Sequence, residues 1–491
     1  MAVQSLVSTG VAGLDLVLGG GVPRDRIYLV QGDPGVGKTT LGMQFLRAGV
    51  AAGETCLYIA LSESRDEIAS VVESHGWTLD GLHVVELSAI DQTAGLDAEN
   101  TLFEPSEVEL QETTRRLLAE IERARPDRVV FDSLSELRLL AQTPLRYRRQ
   151  ILALKQYFAD KRTTVLLLDD RTSDPTDLQL QSLAHGVVSM EQAPPLYGAD
   201  RRSLRIAKLR GVRFLSGYHD FAIRTGGLEV FPRLVPGNHK VTFARGQVSS
   251  GIAELDQMLG GGVDHGTATL LLGPAGAGKS SIAVQYAVAA VQRGDHAAMF
   301  VFDERLATVY ERTRALGVDL EALIATGRLS VQQVDPAELS AGEFAYRVHQ
   351  TVDRDRSRVV VIDSLNGYLH AMASDKQLTV QLHELLSYLG NAGVATLMVM
   401  AQHGLAGSMK SPVDVSYLAD TLVLLRYFEN QGRVRKAISV LKKRSGAHEL
   451  AIRELSMGPG GLVVGAPLTQ FAGVLTGVPN FVGSPGDLAH D

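Results

Sequence analysis

The sequence is poor in cysteine and has no membrane-length run of apolar residues. Cys56 is the only cysteine among 491 residues, so one chain cannot form a disulfide framework or a metal site built from cysteines. We find no charge-free apolar run of about 18 residues, which excludes a membrane-spanning helix. Residues 1–5 lack the basic start of a signal peptide, and no apolar core follows them. We therefore expect a cytoplasmic protein with no membrane partner.

An excess of positive charge is absent too. The formal net charge is −7 and the sequence pI is near 6.0. A nucleic-acid-binding protein usually carries a basic excess, at least on one face. The basic clusters at 146–149 and 201–205 are interpreted as solvated faces or subunit contacts. Nucleic acid is therefore not an expected partner, and a composition of 45% hydrophobic and 21% charged residues excludes a mostly disordered chain.

Glycine, by contrast, is abundant, with 49 residues. Many of them lie in two matching blocks, VSTGVAGLDLVLGGGV at residues 7–22 and VSSGIAELDQMLGGGV at residues 248–263. The offset of 241 residues continues without a gap as far as Glu63 and Glu304. A match of this length indicates a tandem duplication of a whole domain.

The duplication and the distribution of proline and glycine predict the domain boundaries. We expect one domain at 1–235 and a second at 236–465, because a segment with two prolines and a glycine separates the halves near 231–237. Residues 466–491 are rich in glycine and proline and predict a flexible tail. This tail is interpreted either as a disordered end or as a docking segment for a partner.

Short apolar runs alternate with amphipathic helical stretches in each half. The predicted strands are 27–30, 57–61, 128–131 and 164–168 in the first half, and 269–272, 298–302, 359–362 and 395–400 in the second. Alternation of this kind predicts two tandem α/β domains with mostly parallel sheets.

The strongest chemical signal is a pair of phosphate-binding loops. GDPGVGKT at 32–39 and GPAGAGKS at 273–280 both fit the pattern GxxxxGK[ST] between a predicted strand and a predicted helix. Glycines let backbone N–H groups wrap a phosphate, while the lysine reaches the β- and γ-phosphates and the hydroxyl binds Mg²⁺. The candidate nucleotide-binding residues of the loops are Gly35, Val36, Gly37, Lys38, Thr39, Thr40, Gly276, Ala277, Gly278, Lys279, Ser280 and Ser281.

Carboxylates follow the neighbouring predicted strands. Asp132 and Asp363 end the runs VVFD and VVID, where they would hold Mg²⁺ through water or, alternatively, cap a helix. Glu63, Asp303 and Glu304 are candidate catalytic residues for activating a nucleophile, or else acidic residues at a helix N-terminus. The candidate metal ligands are Thr39, Asp132, Ser280, Asp303 and Asp363.

Together, STGxxxLD, LGGG, the phosphate loops and the Asp-Ser-Leu strand ends resemble the KaiC family of cyanobacterial clock ATPases and kinases. This family belongs to the RecA-like P-loop ATPases. The resemblance covers residues 7–454 and includes the duplication. It implies ATP and Mg²⁺ as ligands, and a homohexamer of two stacked rings with ATP bound between neighbouring subunits. It also implies a KaiB-like protein as a partner.

The resemblance assigns roles that the residues alone would not suggest. Lys208-Leu209-Arg210 and Lys442-Lys443-Arg444 match a family element that reaches the γ-phosphate held by the adjacent subunit. A cation supplied in this way stabilises transition-state charge. Ser74 matches a family position near the nucleotide base, where the second half has Ala315-Leu316-Gly317.

The resemblance also places two phosphoacceptor positions in the second half. Ser416 matches the family serine, and Tyr417 stands where the family has threonine. Asp303 occupies the position of the carboxylate that activates the acceptor hydroxyl. In the first half Ser62 stands at that position, which leaves Glu63 to orient water.

Three functional hypotheses follow from these features. The first is a hexameric ATPase that phosphorylates itself on Ser416 as a serine/threonine kinase and acts as a signalling or clock-type regulator. The second is a RecA-like DNA-dependent ATPase, which the acidic composition disfavours. The third is a signalling scaffold in which ATP drives ring assembly with little turnover.

Overall fold

The computed structural model of the chain describes residues 5–86, 105–141, 143–170, 179–194, 198–371, 378–402, 416–476 and 480–482. The chain divides into two compact units, Met1–Arg233 and Leu234–Asp491. Each unit contains one nine-stranded sheet. The predicted fold class, two tandem α/β domains with mostly parallel sheets, is confirmed.

The first unit begins with a short strand and continues as alternating helices and strands. Its strands are β1 (Leu6–Val7), β2 (Val22–Pro23), β3 (Ile27–Gly32), β4 (Cys56–Ala60), β5 (Leu82–Glu86), β6 (Arg128–Asp132), β7 (Thr164–Asp170), β8 (Gly186–Ala193), β9 (Arg201–Leu209), β10 (Tyr218–Arg224) and β11 (Gly227–Phe231). Its helices are α1 (Ala12–Val17), α2 (Lys38–Ala51), α3 (Arg65–Ser74), α4 (Pro105–Ala124), α5 (Leu134–Ala141), α6 (Pro144–Lys161) and α7 (Gln179–Leu183).

The second unit repeats this pattern and adds strands at its end. Its strands are β12 (Gln247–Val248), β13 (Val263–Asp264), β14 (Ala268–Gly273), β15 (Ala297–Val301), β16 (Leu329–Gln333), β17 (Val359–Asp363), β18 (Ala395–Ala401), β19 (Thr421–Asn430), β20 (Arg433–Lys443), β21 (Arg453–Gly458), β22 (Gly461–Pro467), β23 (Phe471–Ala472) and β24 (Asn480–Phe481). Its helices are α8 (Ala253–Met258), α9 (Lys279–Gln292), α10 (Leu306–Ala315), α11 (Leu320–Ala325), α12 (Ala341–Asp355), α13 (Leu365–Ala371) and α14 (Leu378–Asn391). Among the helices of the described ranges, none is long and apolar enough to cross a bilayer.

The two large sheets have the same strand order. The first runs β11-β10-β9-β8-β3-β7-β6-β4-β5, and the second runs β22-β21-β20-β19-β14-β18-β17-β15-β16. In the first sheet the strands from β8 to β5 are parallel, and β9, β10 and β11 are antiparallel. Each of the eight strands predicted from the sequence overlaps a parallel strand of these sheets.

Helices cover both faces of each sheet, which explains why the central strands are apolar along their whole length. Every residue of β4, β6 and β17 is buried. Helix α2 approaches the sheet closely at Gly42, where a Cβ atom would lie 3.0 Å from Val130 Cγ1. Strands buried on both faces give continuous apolar runs rather than an alternating pattern, and this made them recognisable in the sequence.

Both phosphate loops connect a central strand to a helix. Strand β3 leads into α2, and strand β14 leads into α9. The residues before these helices, Gly37 and Gly278, have φ values of 107° and 106°, a left-handed conformation that suits glycine. Because the carboxyl ends of parallel strands meet at one edge of the sheet, residues that follow β4, β6 and β7 gather beside the first loop.

Part of the predicted tail packs on the second unit. Phe471 lies against Phe428 of β19, with 5.4 Å between ring centroids, and against Phe481, at 5.6 Å. Val474 is buried in the same small cluster. Leu468, Phe471 and Val474 therefore pack against Phe428 of β19 and Ala437 of β20. Residues 477–479 and 483–491 lie outside the described ranges.

Candidate functional site

The first phosphate loop folds around the side chain of its lysine. The Nζ atom of Lys38 donates hydrogen bonds to the carbonyl oxygens of Gly32 and Asp33, each at 2.9 Å. Lys38 is 6% exposed and Val36 is fully buried. The ammonium group therefore lies inside the loop, where the predicted phosphate contacts require it.

Thr39 and Asp132 lie beside each other, as predicted for metal ligands. The Thr39 hydroxyl donates to Asp132 Oδ2 at 2.6 Å, and the Tyr58 hydroxyl donates to the same oxygen at 2.6 Å. Burial raises the pKa of Asp132, although these two hydrogen bonds act in the opposite direction. A hydroxyl and a carboxylate are oxygen ligands of the kind that Mg²⁺ prefers, so the donor set fits this ion.

Glu63 combines burial with an unused oxygen. Its Oε2 atom is shielded from solvent and has no hydrogen-bond partner in the described part of the chain. Burial raises the pKa of Glu63, and the negative charges of Asp132, Glu67 and Asp170 raise it further. A carboxylate in this environment is well suited to accept a proton from water.

Asp170, at the end of β7, is a site residue that the sequence analysis missed. Its Oδ1 atom lies 2.6 Å from Lys38 Nζ, and the Ser135 hydroxyl donates to its Oδ2 at 3.3 Å. Asp170 pairs with Gly32 in the sheet register, and the matching partner of Gly273 is Ala401. The sequence did contain a signal for it, because Asp170 lies just after the predicted strand 164–168, and Asp132 was identified by its place after the predicted strand 128–131.

We expect Asp170→Ala, which introduces the residue of the second unit, to tighten nucleotide binding at the first site by about three- to tenfold. The reason is that an incoming phosphate no longer competes with a carboxylate for Lys38. Titration with a fluorescent nucleotide analogue, in a chain whose second site is disabled by Lys279→Ala, measures the effect. Weaker binding would instead show that Asp170 helps to hold the metal ion.

The second phosphate loop has a similar form. Lys279 is buried, and its Nζ atom donates to the carbonyl oxygen of Pro274 at 2.6 Å. Burial lowers the pKa of Lys279 to about 8, although the charge of Asp363 acts in the opposite direction. The Tyr427 hydroxyl donates to the Ala275 carbonyl at 3.0 Å and so supports the outer side of the loop.

The second metal position is built from the matching residues. Ser280 hydrogen-bonds to Asp363, whose pKa burial raises. The oxygen pair of the first unit is therefore repeated, and it fits Mg²⁺ equally well. Met299 stands where the first unit has Tyr58, and because methionine has no hydroxyl it cannot give Asp363 the hydrogen bond that Tyr58 gives Asp132.

The two carboxylates after β15 both have partners in their own unit. The Ser364 hydroxyl donates to Asp303, and Arg312 Nη1 lies 2.6 Å from Glu304 Oε2. Asp303 therefore lies against the residue that follows Asp363, close to the second metal position. Glu304 differs from Glu63, because one of its oxygens is occupied by a guanidinium group.

Ser74 is used within its own helix, and its neighbour reaches the phosphate-loop helix. The Ser74 hydroxyl donates to the Val71 carbonyl at 2.7 Å. His75 Nε2 lies 3.3 Å from the hydroxyl of Thr40, and its Nδ1 lies 3.0 Å from the Arg224 carbonyl. His75 was not singled out from the sequence, because a lone histidine at a helix end carries no recognisable pattern.

In the second unit, Ser281 occupies the position of Thr40. Ser281 lines a small pocket together with Thr313 and Leu316, so the segment after α10 lies beside the loop helix there too. Leu316 stands where the first unit has His75, which makes this side of the second site more apolar.

The first Lys-Leu-Arg element lies at the end of β9, next to α7. Lys208 Nζ donates to the carbonyl oxygens of Gln181 and Ser182 at 2.6 and 3.2 Å, and Arg210 donates to the Ser182 carbonyl at 3.4 Å. Leu209, between them, packs against the hydrophobic core. Lys208 and Arg210 therefore lie on the side of the chain that contacts α7, and Leu209 packs against the core on the other side.

The corresponding cations of the second unit hold the candidate phosphoacceptor segment. Lys442 Nζ donates to the carbonyl oxygens of Ser416 and Ala419 at 3.2 and 2.8 Å. Arg444 donates to the Tyr417 carbonyl at 2.7 Å. Two groups of residues that were predicted separately therefore lie together.

Lys443 is separated from these cations. Its side chain is 1% exposed and lies 3.3 Å from Asp264 Oδ2. Its Nζ atom also donates to the carbonyl oxygens of Leu259 and Gly262, in the second LGGG turn. Alternate residues along the chain here point to opposite faces, so Lys443 contacts the LGGG turn while Lys442 and Arg444 contact the backbone of residues 416–419.

Comparison with known proteins identifies the family of both units. A family model described as "ATPase: KaiC" matches the chain twice, at residues 7–235 and 248–469. The chain belongs to the KaiC family of ATPases. It is 25% identical over 490 residues to the circadian clock oscillator protein KaiC of Acaryochloris marina, covering 97% of this chain and 91% of that protein. It is 26% identical to the circadian clock protein KaiC2 of Synechocystis, covering 92% and 80%.

A second Synechocystis relative, the circadian clock protein KaiC3, is 24% identical over 97% of this chain and 94% of its own length. The relatives therefore span both units of this KaiC-family chain. The two sites share the loop lysine, the hydroxyl and the strand-end aspartate. They differ in the partners of their carboxylates, since Glu304 is paired with Arg312, whereas Glu63 Oε2 has no hydrogen-bond partner among the residues that the structure describes.

Proposed function

We propose that this KaiC-family ATPase binds ATP and Mg²⁺ in both units, hydrolyses ATP at the first site and phosphorylates its own Ser416. The half-buried carboxylate of Glu63, whose Oε2 atom has no hydrogen-bond partner within the described ranges, carries the hydrolysis part of the proposal. The contact of Lys442 with the Ser416 segment supports the kinase part. A signalling or clock-type regulator is the role that suits an ATPase that modifies itself.

At the first site, each residue has a definable task. Lys38 neutralises charge on the β- and γ-phosphates, and Thr39 and Asp132 provide oxygen ligands for the metal ion. Mg²⁺, when bound, neutralises the charge that develops on the phosphate oxygens. Glu63 accepts the proton of the attacking water, because its raised pKa brings its proton affinity closer to that of a neutral-pH base.

We infer that the chain acts as a homohexamer with ATP between neighbouring subunits. Lys155, Lys208 and Arg210 lie near one another at the end of α7, where their hydrogen bonds go to backbone carbonyls. Burial lowers the pKa of Lys208, and the charges of Arg210 and Lys155 lower it further. A phosphate supplied by an adjacent subunit would relieve this repulsion. A KaiB-like protein remains the partner that the family resemblance suggests.

In the kinase step, Ser416 Oγ attacks the γ-phosphorus of ATP, the new O–P bond replaces the bond to the β-phosphate oxygen, and ADP leaves. Asp303 is the proposed acceptor for the hydroxyl proton. Lys442 and Arg444 bind the backbone of residues 416–419 and so link the position of the acceptor to the interface element. This link explains why phosphorylation and assembly would depend on each other.

Mass analysis of the full chain after incubation with Mg-ATP tests both parts. We expect a hexamer in the presence of ATP, and phosphate on Ser416 that Ser416→Ala removes. The matched control is Ser456→Ala, an exposed serine of the same unit, which should leave phosphorylation unchanged. A Tyr417→Phe variant decides whether the exposed phenol is a second acceptor. Unmodified Ser416 and Tyr417 would remove the kinase from the proposal.

A second candidate is a signalling scaffold in which ATP drives assembly without turnover. The observation that favours it is the pairing of both second-unit carboxylates, Asp303 with Ser364 and Glu304 with Arg312. Size measurements with and without ATP, run alongside phosphate release, separate the two functions. ATP-dependent assembly with no phosphate release from either site would favour the scaffold.

A further inference from the structure

Arg312 makes a contact that has no counterpart in the described part of the first unit. It lies on α10, eight residues after Glu304, and its Nη1 atom is 2.6 Å from Glu304 Oε2. The two side chains are 31% and 27% exposed, so water screens this pair only in part. The positive charge of Arg312 also acts on Asp363, which places the guanidinium group close to the second metal position.

The matching position in the first unit is Val71. The offset of 241 residues that aligns Glu63 with Glu304 also aligns Val71 with Arg312, and α3 and α10 are equal in length. Valine has no group that can pair with a carboxylate. Consistent with this, Glu63 Oε2 has no hydrogen-bond partner within the described residues. This position of the helix therefore supplies a partner for Glu304 in the second unit and none for Glu63 in the first.

The pairing opposes water activation by its geometry. A general base must direct a lone pair of an oxygen atom at the water proton, and Arg312 occupies one of the two oxygens of Glu304. This slows hydrolysis without removing any group that binds the nucleotide.

We propose that Arg312 is a positioning residue that holds Glu304 away from the hydrolytic water, so that the second site retains ATP. ATP kept in this site is available for transfer to Ser416. The inference rests on the proposed ATP chemistry of the second site and adds to it the residue that restrains hydrolysis there.

The test uses the full chain with first-site hydrolysis disabled by Glu63→Gln. Against this background, we expect Arg312→Val to raise kcat for hydrolysis about tenfold or more, with KM changed less than twofold. The fraction of bound nucleotide recovered as ATP should fall. Arg312→Lys should keep the slow turnover and the retained ATP, because an ammonium group can still pair with Glu304. The double variant Arg312→Val/Glu304→Gln should lose the gain.

The reciprocal experiment uses the first site. With Lys279→Ala disabling the second site, Val71→Arg should lower kcat at the first site about tenfold. An unchanged kcat in Arg312→Val, with nucleotide bound normally, would overturn the inference. A lower kcat with normal binding would also overturn it, because Arg312 would then assist the transition state. If neither the parent chain nor any variant releases phosphate, the inference and the proposed function both fail. If the first site hydrolyses ATP but Arg312→Val does not change turnover, only the inference fails.

Discussion

Glu63→Gln is expected to lower hydrolysis at the first site by about 10²- to 10⁴-fold while leaving nucleotide binding nearly unchanged. The amide has almost the same shape as the carboxylate but cannot accept the proton of the attacking water. Glu63 is half-buried, and burial and the neighbouring carboxylates raise its pKa. In the first unit, Ser62 stands at the position that Asp303 has in the second, so Glu63 is the first carboxylate after β4.

The measurement is phosphate release from the full chain carrying Lys279→Ala, so that turnover comes from the first site alone. Nucleotide affinity is measured on the same preparation. Glu73→Gln is the matched control, because Glu73 is an exposed glutamate of α3, the helix that follows Glu63, and it should leave turnover unchanged. If Glu63→Gln hydrolyses ATP at the parent rate, a different group activates the water and the assignment is wrong.

Lys38→Ala and Lys279→Ala are each expected to remove one nucleotide site, so that binding stoichiometry falls from two per chain to one. Both lysines are 6% exposed and are directed into their loops. Charge-assisted contacts to phosphate are roughly twice as strong as neutral hydrogen bonds, and their loss weakens binding about 10- to 100-fold. The double variant should bind no nucleotide at working concentrations.

Calorimetric titration with a slowly hydrolysed ATP analogue gives the stoichiometry and the affinity together. Lys240→Ala, at an exposed position, controls for the loss of one positive charge and should retain two sites. Two sites of unchanged affinity in Lys38→Ala would show that the first loop does not hold the phosphates. Because the variant removes a partner of Asp170, its thermal unfolding should be followed as well.

The sequence was most informative where one segment contains the whole signal. Strands such as β4 and β17 are buried on both faces, so their apolar runs predict them directly. Each phosphate loop is a single continuous segment, and the duplication supplies an independent copy for comparison. Asp132 and Asp363 were found because each follows an apolar strand, and the structure places both beside the loop hydroxyl.

Ser74 and the two lysine–arginine elements show what this approach leaves open. The family resemblance places Ser74 near the nucleotide base, and this stays a prediction; within its own unit the Ser74 hydroxyl donates to the Val71 carbonyl, and His75 contacts Thr40. Lys443 has the same charge as Lys442, yet strand alternation turns it into the unit's own LGGG turn. The contacts of Ser74 and Lys443 depend on the direction of each side chain, which residue type alone does not specify.

By itself, the sequence determined the tandem α/β architecture, the two phosphate loops and the strand-end aspartates, since these depend on local periodicity and on short motifs. Only the tertiary structure decided the partners of the charged groups: Asp170 with Lys38, Arg312 with Glu304, and Lys442 with the Ser416 segment. The physical reason is that parallel strands bring residues that are far apart in the chain to one edge of the sheet. The charges that meet there set proton affinities and hydrogen bonds that no single segment contains.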